Sequence, residues 1–106
     1  SLLIPYKGNT IKVSCKEIAY IESDAHNVIV HTKNAQYQMR ETLKKMEDEL
    51  SIYHFHRCNS GYLVNLSYVT GVKNDEVFLD DIGLKISRPR KKEFMERLTK
   101  YIGDIF

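Results

Sequence analysis

Apolar side chains in this chain recur with a period of two, in runs of four to six residues, and that pattern restricts the fold more than any other feature. Ile11-Lys12-Val13-Ser14-Cys15 alternates, and so do Glu17 to Glu22 (EIAYIE), Asn27 to Thr32 (NVIVHT) and Ala35 to Arg40 (AQYQMR). Tyr62 to Leu66, Tyr68 to Val72, Glu76 to Leu79 and Leu84 to Ser87 continue the series. The segments between them are rich in turn formers: Ser23-Asp24-Ala25-His26, Lys33-Asn34 and Asp80-Asp81-Ile82-Gly83. The period changes to that of a helix in two places. From Thr42 to Leu50, Leu43, Met46 and Leu50 share one face and Thr42 is suited to the N-cap. Near the C-terminus, Phe94, Leu98, Tyr101, Ile102 and Ile105 recur at helical spacing, with Gly103 expected to fray the end. The expectation is a mainly β fold of short antiparallel strands with one internal and one C-terminal helix.

At 106 residues there is room for one domain and one modest core. Apolar residues make up 42% and charged residues 28%, which excludes a disordered tail. No apolar run reaches membrane-spanning length and no signal peptide opens the chain, so a soluble, cytoplasmic protein is expected. Cys15 and Cys58 are too few for a disulfide framework and read as free thiols. The opening Ser1-Leu2-Leu3-Ile4-Pro5, without Met, reads as the start of a piece cut from a longer protein. The formal net charge of +2 is uninformative, but its distribution is polarised. Acid gathers at Glu47 to Glu49 and between Asn74 and Asp81, and base gathers in Ser87-Arg88-Pro89-Arg90-Lys91-Lys92.

Three places are chemically unusual. Ser87 and Pro89 suit the start of a helix, which puts Arg88, Arg90, Lys91 and Lys92 where cations oppose the helix dipole. Free amides and cations together make a phosphate site; a solvated charge run offset by Glu93 and Glu96 explains the same residues equally well. In His54 to Leu66 (HFHRCNSGYLVNL) two strand-like halves flank Arg57-Cys58-Asn59-Ser60-Gly61. Arg57 has a fork suited to phosphate or guanine, and Asn59 and Ser60 can bond base edges or phosphates; an ordinary Asx turn is the simpler reading of that composition. His26-Asn27 offers donors and acceptors on a short loop, and a capping Asn beside an exposed His accounts for it as well.

Tyr53 and Phe55 are expected on one strand face, with His54 and His56 on the other. Two imidazoles on one face could share a zinc, but no further ligand pair has metal spacing, so no metal or other cofactor is expected. There is no P-loop, dinucleotide fingerprint or nucleophile elbow, so an enzyme is not expected. Acid–base cleavage of a phosphodiester by His54, His56 and Arg57 is a distant alternative, and a protein-interaction module using the same polar edge is a nearer one.

Five segments in order, IAYIES with NVIVHT, ETLKKMEDEL, FHRCNSGYLVNLSYV and LKISRPRKKEF, span nearly the whole chain. With them the chain resembles the LytTR family, the DNA-binding output domain of a class of bacterial response regulators. The most specific piece is Phe55, Arg57 and Tyr62 to Leu66, followed by Ser87-Arg88 and the basic residues after it. The resemblance implies an elongated antiparallel β fold whose loops, rather than a recognition helix, enter successive major grooves of double-stranded DNA. It also implies an upstream receiver domain whose phosphorylation promotes pairing on tandem promoter repeats, and an isolated domain that is largely monomeric. Carried over, its DNA contacts fall on His26 and Asn27, on Arg57, Asn59 and Ser60, and on Ser87, Arg88, Arg90, Lys91 and Lys92. The chain departs from the family where a His and then Asn or a basic residue commonly precede a Ser: here those places hold Asn59, Ser60 and Gly61. Pro89 also stands where many members have another residue.

Overall fold

The computed structural model describes residues 1–105, within an envelope of 41 × 30 × 26 Å. Ten strands and two α-helices follow in the order β1 (Leu2–Tyr6), β2 (Asn9–Val13), β3 (Ile18–Asp24), β4 (Asn27–Thr32), β5 (Gln36–Arg40), α1 (Leu43–Leu50), β6 (Phe55–Asn59), β7 (Tyr62–Asn65), β8 (Gly71–Lys73), β9 (Glu76–Leu79), β10 (Ile82–Lys85) and α2 (Arg88–Ile105). Single 3-10 turns cover Cys15–Glu17, Ser51–Tyr53 and Leu66–Tyr68. The central sheet has the order β5-β4-β3-β7-β6, and all its pairings are antiparallel. The β1–β2 hairpin and the β10-β9-β8 sheet lie apart from it in pairing.

Both faces of the central sheet are covered, and each cover has its own core. Leu2, Ile4 and Val13 of the first hairpin and Leu43, Met46 and Leu50 of α1 pack with Ile21, Val28, Val30, Phe55 and Leu63. Cys58, Val64 and Leu66 pack instead with Val77, Leu79, Leu84 and Ile86 and with Phe94 and Leu98 of α2. Consecutive Leu63 and Val64 therefore belong to opposite cores, as the period of two requires for a strand buried on both sides. Thr42 caps α1 as its position predicts, its hydroxyl accepting from the Lys45 amide at 3.1 Å.

Several expectations are corrected. The strand expected at Ile11–Cys15 is β2, which ends at Val13 and is preceded by β1, and Cys15 lies in a 3-10 turn. Pro5 is tolerated in β1 because that strand has only one neighbour. Tyr53 and His54 are not in β6: Tyr53 ends a 3-10 turn and His54 has φ 68°, so the chain reverses there and the shared faces of Tyr53/Phe55 and His54/His56 do not form. His54 packs against Tyr101 at 5.0 Å between ring centroids. Tyr68 to Val72 is not one strand, because Leu66–Tyr68 coils and β8 begins only at Gly71. Helix α2 runs through Gly103 to Ile105 without a break.

The two thiols differ. Cys58 is fully buried, and burial pushes its pKa up to about 11, whereas Cys15 is partly exposed. At pH 8 the Cys58 thiol stays protonated and covered. Iodoacetamide is expected to alkylate Cys15 alone in the native protein and both thiols in denaturant. Rapid native labelling of Cys58 would contradict this packing.

Candidate nucleic-acid interface

One end of the central sheet collects the unusual segments. The β3–β4 hairpin pairs Asp24 with Asn27, leaving Ala25-His26 as a two-residue turn. Ala25 takes φ 54°, a left-handed conformation costing an alanine roughly 1 kcal/mol. His26 is exposed at the tip and Asn27 is half-buried at the start of β4. On the neighbouring pair, Asn59 faces Tyr62 across the Ser60-Gly61 turn, with a bulge between Arg57 and Asn59. The Ser23 amide donates to the Gly61 carbonyl at 2.8 Å, which ties the two turns side by side.

The basic run joins them through the backbone. The Ser87 amide donates to the Cys58 carbonyl at 2.9 Å, and the Asn59 side-chain amide donates to the Lys85 carbonyl at 2.6 Å. Helix α2 starts at Arg88 with no acidic residue in its first turn. Arg88, Lys91 and Lys92 are exposed, while Ser87 and Arg90 are half-buried. Lys91 Nζ lies 2.6 Å from Asp75, whose carboxyl it holds below its usual range. All three sequence-derived segments therefore meet at one end of the sheet.

Within the hairpin the residues have different standing. Ser60 is exposed and free to meet a ligand. Asn59 is committed at both ends of its amide, since its Oδ1 also accepts from the Gly61 amide at 2.7 Å. Arg57, on β6, is mostly covered, with 12% of its side chain exposed. Its guanidinium donates to the Ser60 carbonyl at 3.2 Å, and its Nε faces Glu47 of α1 at 3.5 Å. Asn59 and Arg57 hold this turn's shape and Ser60 is exposed on it, while His26 is exposed on the neighbouring β3–β4 turn.

A cation at this end escaped notice in the sequence. Arg40 closes β5 directly opposite Asn27 and is exposed. Counting strand pairs outward from the Lys33-Asn34 turn would have found it. The packing roles of Glu47 and Asp75 had no local signal, since their partners are 10 and 16 residues away in sequence.

The family model for the LytTr DNA-binding domain matches residues 8–99. The chain belongs to the LytTR DNA-binding domain family. The LytTR domain is also similar in fold to a solved LytTr DNA-binding domain of a Bacillus cereus protein described as a methyl-accepting/DNA response regulator. That similarity has a TM-score of 0.81 and covers 92% of this chain and 94% of the other at 17% identity. A search of curated proteins gives no match. Among the described residues of the LytTR domain, no helix is long and apolar enough to cross a membrane, and no cluster of His, Cys, Asp and Glu is placed to hold a metal.

Proposed function

We propose that this LytTR domain reads the sequence of double-stranded DNA as the output module of a two-component response regulator and so controls transcription. The observation that carries the reading is the joining of two tight turns and a cationic helix start at one sheet end by backbone hydrogen bonds. Side chains on such turns keep a fixed spacing, which recognition of base edges requires. His26 and Ser60 are the base readers. Asn27 supports the first turn, and Arg57 and Asn59 shape the second. Ser87, Arg88, Arg90, Lys91 and Lys92 contact phosphates, with Arg40 added from β5. A receiver domain upstream and pairing on tandem repeats complete the proposal, the isolated domain being a monomer without DNA.

His26→Ala tests it. His26 is exposed, so circular dichroism and melting should not change. Cognate binding is expected to fall by about 1–3 kcal/mol, the size of one good base contact, with random DNA nearly unaffected. The cognate site is obtained by selection from a random duplex pool. Equal loss on cognate and random DNA would make His26 a backbone contact.

A further inference from the structure

Glu47 lies on α1, outside all three segments that face DNA in the proposed reading. Its carboxylate is 3.5 Å from Arg57 Nε, a buried atom with no hydrogen-bond partner among the described residues. A largely covered guanidinium needs a counter-charge, and Glu47 supplies it. The same guanidinium holds the Ser60 carbonyl at 3.2 Å from its other side. A chain of contacts thus runs from the middle of α1 to the tip of a reading turn. The small cleft around it, about 50 Å³, is lined also by His56, Arg90, Glu93 and Arg97. Without Glu47, Arg57 faces two further cations there, and Glu93 is the remaining acid in the lining.

We propose that Glu47 is a positioning residue for sequence reading, acting through Arg57 on the Ser60 turn. The proposal rests on the reading that this turn meets base edges. Removing the carboxylate frees Arg57 to leave the Ser60 carbonyl, so the Ser60 side of the turn loosens while the Asn59 bond to the Gly61 amide remains. Net charge rises by one at the same time, which favours any DNA through its phosphates. Glu47 therefore affects discrimination and general affinity in opposite directions, which a merely structural residue would not.

The test compares the whole chain, Glu47→Gln, Arg57→Gln and the double variant on the selected duplex and on random duplex. Glu47→Gln is expected to lower the cognate-to-random ratio about tenfold, with random binding unchanged or tighter. The double variant should discriminate no worse than Arg57→Gln alone, since both act through one contact chain. Glu47→Asp, shorter by one methylene, should fall between wild type and Glu47→Gln. An unchanged ratio in Glu47→Gln overturns the proposal, as do additive losses in the double variant. Parallel losses of melting temperature and of both affinities overturn it too, by making Glu47 structural. If wild type itself shows no preference for any duplex, the base-reading function fails and the proposal fails with it.

Discussion

The domain with Arg90 and Lys91 both replaced by Gln is expected to bind cognate and random DNA about thirtyfold more weakly at ~0.15 M salt, with its salt slope reduced by about 1.8 units. Each phosphate neutralised contributes about 0.9 to the slope, and the affinity figure is that difference extrapolated from a molar reference. Both cations sit in the first turn of α2, where the dipole favours an anion and no acidic residue stands beside them in that turn. Lys91 is already bridged to Asp75, but both partners are solvent-exposed, and such a pair contributes little enough to yield to phosphate. Asp75→Asn should accordingly strengthen binding to all DNA and steepen the slope. Titrations across ~0.1–0.4 M salt decide the matter. An unchanged slope in the Gln pair would return the run to an ordinary solvated face.

Asn65→Ala is expected to destabilise the domain by about 2–4 kcal/mol and to lower the melting temperature by roughly 8–15 °C. Among the described residues, Asn65 is the buried polar side chain of the core, 4% exposed. Its amide donates to the carbonyls of Ile18 at 2.9 Å and Cys15 at 3.4 Å, and its oxygen accepts from the amide and hydroxyl of Ser67. One side chain thus joins the entry of β3 to the coil that leaves β7. Alanine removes all four bonds and leaves the Ile18 carbonyl without this partner at a buried position. Asn65→Asp should do no better, because a carboxylate has no hydrogen to offer the two carbonyls. A loss below ~1 kcal/mol in chemical denaturation would show that water takes over the network.

Much of the fold was legible because local signals agreed with tertiary demands. Asn27–Thr32 and Glu76–Leu79 form strands with the expected limits, and Thr42 caps a helix whose apolar face is Leu43, Met46 and Leu50. At Tyr53 to His56, where the sequence misled, a single backbone angle was responsible. His54 at φ 68° breaks the parity that the alternation of Tyr53 to His56 implied. The β1–β2 hairpin was half hidden, since Pro5 masks a strand and the Lys7-Gly8 turn has no Asn or Asp to announce it. The three segments singled out in the sequence do lie together, but the hydrogen bonds that tie them were not legible there. That Asn59 spends its amide on Lys85 and Gly61 depends on a partner strand 26 residues away. The ion pair of Arg57 with Glu47 likewise needs a helix packed beside β6.

His26 and Ser60 project from turns and are exposed, whereas Arg57 and Glu47 are partly covered and paired, and Asn59 is bonded to Lys85 and Gly61. Mutation is therefore filtered differently at the two kinds of position. Tip residues can be exchanged almost neutrally with respect to folding, and each exchange alters what the tip can bond. If the tips read bases as proposed, descendants of such a chain drift to new operators by one or two tip substitutions while the supporting frame stays fixed. Libraries aimed at retargeting this domain belong at 26 and 60, with 47, 57 and 59 left as they are.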